Sequence, residues 1–341
     1  MEDTLIPKNI DAFRHKLFQQ KEVTILMHYN PDGDAIGSSL ALAMYLEQYQ
    51  IGSCLISPNN FPDFLKWMPW SDRIHIATDE KQFCEQKIRD AEMIFCMDFN
   101  LSSRIKSLQS ALDESKAYKA LIDHHIDPSP IFDFTYSVKE ETSSTSELVY
   151  WLIAHHLNDK GKINREMAQC LYVGIITDTG SFSYNCDNAS TYDATSHLIQ
   201  LDINGEEIHR NVYDTYSESR VRLLGFCLSE RLHIMEEYAT SYIYLTKEDL
   251  ERFQYKPGDT EGIVNYGISM KNIRFTAFFS EKDGNIRVSF RSKGDFDVDA
   301  FARKHFHGGG HKHASGGESD MSMQETLAYF QSTLKEYENL I

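Results

Sequence analysis

The 341-residue sequence lacks the marks of a membrane or secreted protein. No apolar stretch approaches the roughly 18 residues of a membrane-spanning helix, so we expect no membrane span. The six cysteines are scattered without a CxxC pair, as is usual for reduced thiols in a cytosol. The first residues are acidic and lack the basic and apolar regions of a secretory signal, which favours a cytoplasmic protein.

Basic residues are also scarce. The 34 Lys and Arg face 51 Asp and Glu, and the formal net charge is −17. Binding to long DNA or RNA requires broad phosphate neutralisation, so this class of protein is not expected. A short phosphorylated ligand held by a few local charges is compatible with the composition. The segment 287–313 has six bases and three acids and is the best place for an anion.

The length suggests two domains. In the first part, short apolar runs alternate with helical patterns, which is typical of a parallel α/β sheet. The predicted strands cover 23–28, 91–97 and 120–122, and the predicted helices cover 35–49, 144–157 and 165–176.

A different pattern begins near residue 235. Aromatic and alternating runs predict strands over 238–245, 275–279 and 286–290. The stretch before them has a helical pattern, and we interpret 206–233 as one long connecting helix. These patterns predict an α/β protein with a first domain at 1–195, a helical linker at 196–234 and a smaller domain at 235–341.

Each predicted strand of the first domain ends in Asp or His. The first strand ends in His28, Asp98 follows the second, and the run Asp123-His124-His125 follows the third. In open α/β sheets, ligands bind just beyond the carboxyl ends of the strands. Asp is a common turn residue, and this explains any single strand end. It explains the set poorly, because turns have no need for His.

The spacing His28-x-x-x-Asp32-x-Asp34 places three candidate metal ligands within one turn. If the strands are neighbours, five more residues join them, namely Asp98, Asp123, His124, His125 and Asp178. Carboxylates at this density cannot all ionise without a compensating cation. The mixed imidazole and carboxylate set favours Mn²⁺, with Co²⁺, Fe²⁺ or Zn²⁺ as alternatives. Two such ions bridged by carboxylates hydrolyse phosphate esters by activating water.

The candidate substrate residues of the second domain are Arg291 and the glycine-rich segment Gly308-Gly309-Gly310-His311. Glycines let backbone amides approach a phosphate without a side-chain clash. The imidazole of His311 can donate a hydrogen bond to a phosphate oxygen, and Arg291 can donate two. The alternative is a flexible loop with incidental histidines.

These motifs resemble those of the DHH phosphoesterase superfamily. The matching segments are His28-Tyr29-Asn30-Pro31-Asp32-Gly33-Asp34-Ala35, Asp98, Asp123-His124-His125 and Thr177-Asp178-Thr179-Gly180. The segment 308–317 is similar to the signature of the DHHA1 domain. The two-domain length without added modules is most similar to the nanoRNase / pAp-phosphatase branch. The resemblance implies a parallel-sheet DHH domain, a helical linker and a smaller α/β DHHA1 domain with a mixed sheet.

The resemblance also implies roles for the site residues. His28 and Asp32 would hold one ion and Asp34, His124 and Asp178 the other, while Asp98 would bridge the two. Asp123 would support the histidines. His125 would face the substrate phosphate, and Arg291, His311 and the three glycines would bind substrate from the second domain. The ions would be Mn²⁺, with Co²⁺ or Mg²⁺ as alternatives, in a cleft between the domains.

The implied activity is hydrolysis of very short oligoribonucleotides, including linear dinucleotides such as pGpG and pApA, to mononucleotides. Hydrolysis of 3′-phosphoadenosine 5′-phosphate (pAp) to AMP is implied as well, and a homodimer is an expected assembly. Two other functions stay open. One is an inorganic pyrophosphatase or exopolyphosphatase of the same superfamily, and the other is a nucleotide sensor without catalysis. A sensor would typically have lost a metal ligand, and all six candidate ligands are present.

Overall fold

A computed structural model describes residues 7, 9–125, 127–137, 142–282 and 284–337. The chain divides into two compact units, Met1–Thr215 and Tyr216–Ile341. Both are α/β, which confirms the predicted fold class. The six cysteines are free and buried. Within the described ranges, no helix is both long and apolar enough to cross a membrane.

The first unit contains a six-stranded sheet whose strand pairs are all parallel. The strands are β1 (Glu22–Met27), β2 (Gly52–Ser57), β3 (His75–Ile76), β4 (Met93–Met97), β5 (Tyr118–Ile122) and β6 (Phe134–Tyr136). Their order is β3-β2-β1-β4-β5-β6. The strand order therefore reverses between β1 and β4, which is where ligands bind in sheets of this kind.

The three strands predicted in this unit are confirmed as β1, β4 and β5, and the three predicted helices as α2, α5 and α6. The helices are α1 (Ile10–Leu17), α2 (Gly33–Glu47), α3 (Lys81–Asp90), α4 (Gln109–Glu114), α5 (Thr145–Trp151), α6 (Arg165–Asp178), α7 (Ala189–Gln200) and α8 (Gly205–Tyr213). A short π-helical stretch, Leu152–His156, extends α5. The sequence analysis did not identify β2, β3 or β6.

Helix α2 is buried along almost its whole length because it packs closely against α6. Glycines make this approach possible. A methyl group on Gly33 would lie 2.5 Å from Oγ1 of Thr177, and one on Gly37 would lie 2.3 Å from the carbonyl oxygen of Cys170. Since real side chains do not approach so closely, both positions require glycine at this separation. The close packing brings the first turn of α2 near the last turn of α6.

The second unit contains a six-stranded mixed sheet in the order β11-β12-β10-β9-β8-β7. The β8–β9 pair is parallel and the other pairs are antiparallel. The strands are β7 (Leu232–Met235), β8 (Thr240–Leu245), β9 (Phe275–Lys282), β10 (Asn285–Ser292), β11 (Gly309–His311) and β12 (Ala314–Ser319). The helices are α9 (Glu218–Phe226), α10 (Lys247–Arg252), α11 (Ile263–Ser269), α12 (Val298–His305) and α13 (Met323–Thr333). The three strands predicted here are confirmed as β8, β9 and β10.

The prediction of one long helix over 206–233 is wrong. The chain forms α8 and α9 separately, followed by a π-helical stretch, Cys227–Arg231. The break has a local cause, since Ser217 caps α9 by accepting a hydrogen bond from the amide of Arg220 at 3.0 Å. A serine at this position favours the start of a new helix over the continuation of the previous one.

Candidate metal centre

The predicted site residues of the first unit lie at one edge of its sheet. His28 follows β1, Asp98 follows β4, and Asp123 begins the segment after β5. Because these three strands are parallel neighbours, their carboxyl ends meet at the same edge. The sheet therefore brings together the polar residues that the sequence places at separate strand ends.

The turn between β1 and α2 fixes His28 and Asp32. Oδ1 of Asp32 caps α2 by accepting hydrogen bonds from the amides of Asp34 at 3.0 Å and Ala35 at 3.1 Å. Nδ1 of His28 lies 3.0 Å from the carbonyl oxygen of Tyr29, which leaves Nε2 as the atom that faces the site. Nε2 lies 4.0 Å from Oδ2 of Asp32.

Asp98 divides its two carboxylate oxygens between two groups of neighbours. Oδ2 lies 3.4 Å from Nε2 of His28, and Oδ1 lies 3.5 Å from Nε2 of His124. Its backbone has a φ of 62°, in the left-handed region, which Asp tolerates better than most residues. A carboxylate with one oxygen on each side is placed to bridge two cations.

The potential ligand atoms form overlapping groups within 4.8 Å of one another. Three of these groups lie within the first unit, namely His28 with Asp32 and Asp98, Asp34 with Asp98 and His124, and Asp98 with Asp123 and His125. Asp98 belongs to all three. Asp178, the last residue of α6, joins them through Oδ2, which lies 3.1 Å from Nε2 of His124.

Burial and mutual repulsion perturb the carboxylates. Burial, together with the charge of Asp98, raises the pKa of Asp34 to about 7. Burial likewise raises the pKa of Asp178, although the nearby His124 opposes this. Burial opposes the lowering of the pKa of Asp98, but contacts with His28 and neighbouring imidazoles outweigh it.

The imidazoles respond in the opposite sense. Burial would lower the pKa of His124, but Asp178 and Asp98 outweigh it and raise the value to about 9. The pKa of His28 is raised for the same reason, because its contact with Asp98 and the charge of Asp32 outweigh burial. Without a metal, this set of side chains therefore holds protons that a cation would replace.

Two observations show that the residues fit divalent cations. The donor atoms are imidazole nitrogens and carboxylate oxygens at the separations given above, a set that first-row metals bind. In addition, Oδ2 of Asp123 is buried and has no hydrogen-bond partner among the described residues. Its Oδ1 accepts a hydrogen bond from Nδ1 of His125 at 2.7 Å. The structure thus places Asp123 in support of a histidine.

The N-terminus of α5 holds two of the acids, and the sequence analysis missed this contact. The backbone amides of Thr145 and Ser146 each donate to a different oxygen of Asp34 at 2.7 Å. The Thr145 hydroxyl donates to Oδ1 of Asp98 at 2.9 Å. A helix N-terminus has unpaired amides and a partial positive charge, so it binds a carboxylate well.

Glu147 fixes this helix start. Its buried carboxylate accepts hydrogen bonds from the amide and hydroxyl of Ser143, from the Thr191 hydroxyl and from the indole nitrogen of Trp151, at 2.8–3.0 Å. Ser144 caps the helix by accepting from the amide of Glu147. The pattern Ser144-x-x-Glu147 is the usual sequence signal for a helix start and agrees with the helix predicted from residue 144.

In the second unit, two amides of the glycine-rich segment form hydrogen bonds inside the unit. Gly308 donates its amide hydrogen to the carbonyl of Ala302 at 3.2 Å, and Gly310 donates to Oδ1 of Asp299 at 2.6 Å. These two amides therefore bond within the unit. A methyl on Gly308 would lie 1.9 Å from the carbonyl oxygen of Gly316, so close backbone packing explains this glycine.

Gly309 and His311 lie in β11, and Arg291 lies in β10 of the same sheet, separated from it by β12. Nη1 of Arg291 donates to the carbonyl of Phe290 at 2.9 Å. That Arg291, Gly308, Gly309, Gly310 and His311 bind substrate stays a prediction.

Both units match known protein families. The model of the DHH family, N-terminal domain, matches residues 22–175, and the DHHA1 domain model matches residues 237–338. The chain is 30% identical over 324 residues to the bifunctional oligoribonuclease and PAP phosphatase NrnA of Bacillus subtilis, covering 92% of this chain and 96% of that protein.

Two solved structures are also similar to this chain. An exopolyphosphatase-related protein from Bacteroides fragilis is 42% identical, with a TM-score of 0.91, and the match covers 97% of this chain and 96% of that one. RecJ from Thermus thermophilus, in complex with Mn²⁺, is 12% identical with a TM-score of 0.57, over 99% of this chain and 56% of that one. The likeness to RecJ concerns the fold alone.

Proposed function

The chain belongs to the DHH/DHHA1 phosphoesterase family, among its NrnA-type members, and on that premise we propose that it hydrolyses short oligoribonucleotides to mononucleotides and pAp to AMP. Membership makes it a hydrolase of phosphoester bonds. The observation that carries the proposal is the divided carboxylate of Asp98, with one oxygen toward His28 and the other toward His124. A carboxylate placed between two groups of potential ligands suits a pair of ions of the kind that hydrolyses phosphate esters.

We assign His28 and Asp32 to one divalent ion and Asp34, His124 and Asp178 to the other, with Asp98 shared. Mn²⁺ is the first candidate, and Co²⁺ and Mg²⁺ are alternatives. When bound, the ions would supply the charge that activates a water molecule and stabilises the phosphoryl oxygens. The buried Asp34 is kept in place by two amides of α5, so its orientation does not depend on the ion.

The chain's own residues then handle the substrate phosphate. Asp123 accepts the hydrogen bond of Nδ1 of His125, which orients the imidazole and directs Nε2 away from Asp123. From that position, His125 would donate a hydrogen bond to a phosphate oxygen or a proton to the leaving oxygen. The side chain of His125 is 19% exposed, so a ligand from solvent can reach it.

The similarity to NrnA of Bacillus subtilis, named as both an oligoribonuclease and a PAP phosphatase, supports these two substrates. The net charge of −17 agrees with short rather than long nucleic acid substrates. In the second unit, Arg291 and His311 remain the proposed contacts to substrate phosphate. A cytoplasmic location and a homodimer also remain predictions.

A second candidate is hydrolysis of inorganic pyrophosphate or polyphosphate. It is favoured by the 42% identity to a protein described as exopolyphosphatase-related. The two candidates differ in whether the substrate carries a nucleobase.

The test is a side-by-side assay of pApA, pAp and pyrophosphate with Mn²⁺ and with EDTA. We expect release of AMP from pApA and from pAp, in Mn²⁺ only. Hydrolysis of pyrophosphate without attack on pApA would replace the proposal with the second candidate. Tight nucleotide binding without hydrolysis of any of the three would favour a sensor.

A further inference from the structure

The chain makes an unusual turn directly after Asp178. Gly180, Ser181 and Phe182 have φ values of 52°, 56° and 61°, so three consecutive residues are left-handed. For the two that are not glycine, this conformation is unfavourable because the Cβ atom lies too close to the following carbonyl oxygen. Thr179 holds the turn, since its hydroxyl accepts a hydrogen bond from the amide of Phe182 at 3.0 Å. Strain of this kind is retained where the geometry serves a function.

The turn places the ring of Tyr184 over Gly180. A methyl group on Gly180 would lie 2.3 Å from Cε1 of that ring, so the ring rests on the glycine backbone. The carbonyl of Thr179 accepts a hydrogen bond from the amide of Tyr184 at 3.1 Å. Because Gly180 is two residues from Asp178, their α-carbons are at most about 7 Å apart. The ring therefore lies close to the end of α6, where Asp178 is the last residue.

The loop is also tied to the residues that support that centre. Nδ2 of Asn185 donates to the carbonyl of Ser143 at 2.9 Å, in the turn that begins α5. The Tyr184 residue is nevertheless 46% exposed. Phe182 packs against Tyr192, which is 50% exposed, with ring centroids 5.7 Å apart and planes at 27°. The loop after α6 thus presents aromatic surface to solvent.

We propose that the ring of Tyr184 stacks on the nucleobase of the bound nucleotide. This inference rests on the proposed function and deepens it, because it assigns a contact that pyrophosphate and polyphosphate lack. Stacking accepts any base, since every base has a π face, which suits an enzyme that acts on short RNA of any sequence. A single exposed aromatic residue is ordinary on a protein surface. The position of its ring on Gly180, two residues after Asp178, is what sets Tyr184 apart.

The test compares the binding of AMP and of ribose 5-phosphate, which is AMP without its adenine. Isothermal titration with Mn²⁺ present gives the two affinities for wild type and for the variants Tyr184→Ala, Tyr184→Leu and Tyr184→Phe. The leucine variant keeps bulk over Gly180, and the phenylalanine variant keeps the ring. Phe83→Ala is the matched control, because Phe83 is 41% exposed in α3 and contacts His75, in the outermost strand β3.

We expect wild type to prefer AMP by about 5- to 150-fold, the range that one stacked base supplies. The preference should fall to nearly one in Tyr184→Ala and Tyr184→Leu, while ribose 5-phosphate binds as before. Tyr184→Phe and Phe83→Ala should keep it. A wild-type enzyme without this preference, or an alanine variant that retains it, overturns the inference. If the alanine and leucine variants lose affinity for AMP and ribose 5-phosphate equally, the role of Tyr184 is structural, and this result also overturns the inference.

The outcome is separable from that of the proposed function. A protein that prefers AMP through Tyr184 but hydrolyses neither pApA nor pAp would keep the stacking contact and reject the activity. A protein that hydrolyses both but binds ribose 5-phosphate as well as AMP would keep the activity and reject the contact.

Discussion

Replacing Thr145 with valine removes one hydroxyl group from the candidate metal centre at nearly constant volume. That hydroxyl donates to Oδ1 of Asp98 at 2.9 Å, in a fully buried position. A hydrogen bond to a charged group is worth about 1.5–3 kcal/mol. If the loss appears in metal binding, it corresponds to a drop in affinity of roughly 10- to 150-fold. Changes to residues that orient metal ligands usually cost about 10- to 100-fold, which agrees.

The reason for the effect is the orientation of Asp98. The Thr145 hydroxyl lies on the same oxygen that faces His124, while the other oxygen faces His28. Without the hydroxyl, the carboxylate is freer to rotate away from a position that serves both sides. We therefore expect weaker binding of two Mn²⁺ ions and a lower kcat. The backbone amide of Thr145 still holds Asp34 in the variant.

The assay is a Mn²⁺ titration followed by electron paramagnetic resonance of the free ion, together with kcat on pApA at saturating Mn²⁺. Thr145→Ser keeps the hydroxyl and should restore both quantities. Ser146→Ala is the matched control in the same helix turn, since its hydroxyl donates to the carbonyl of Asp34 at 3.5 Å and not to Asp98. Equal Mn²⁺ affinity and equal kcat in the Thr145→Val variant and the wild type would refute the reasoning.

Three further predictions follow from named contacts. Asp98→Ala should abolish the Mn²⁺-dependent release of AMP from pApA because the shared ligand is lost, and a normal rate in that variant would contradict the site assignment. Gly174→Ala should lower the free energy of unfolding by about 1–3 kcal/mol in urea, since its methyl would lie 1.9 Å from a buried hydroxyl oxygen; Gly225→Ala, with open space around it, should not destabilise the protein. Asp249→Asn should cost about 1.5–3 kcal/mol at pH 7 by breaking the paired hydrogen bonds from Arg231 at 2.9 and 3.0 Å. Burial opposes the lowering of the pKa of Asp249, but Arg231 outweighs it, so this stabilisation is present above the ordinary value of 3.8 and is lost as the pH falls through the lowered pKa. Urea unfolding of both proteins across that pH range should show the difference shrinking, and a constant difference would argue against the ion pair.

Several features were predictable because their signals are local. The run from His28 to Asp34 carries its ligands and its helix start within one turn, and Asp32 caps α2 through atoms two and three residues away. The apolar strands that end in Asp or His identify the edge of the sheet once they are taken as parallel. The single-helix interpretation of 206–233 failed for an equally local reason, since Ser217 caps a new helix that begins at Glu218.

The sequence by itself determined the α/β class, the strand ends that carry the candidate ligands and the resemblance to the DHH family. Only the tertiary structure decided what supports those ligands. Asp34 takes its hydrogen bonds from amides 111 and 112 residues away, and the two amides of Gly308 and Gly310 find acceptors inside their own unit. The ring of Tyr184 rests on Gly180 through a left-handed turn that no residue pattern announces. Sequence patterns report preferences of neighbouring residues, whereas these contacts depend on which distant backbone groups the packed helices bring within hydrogen-bonding distance.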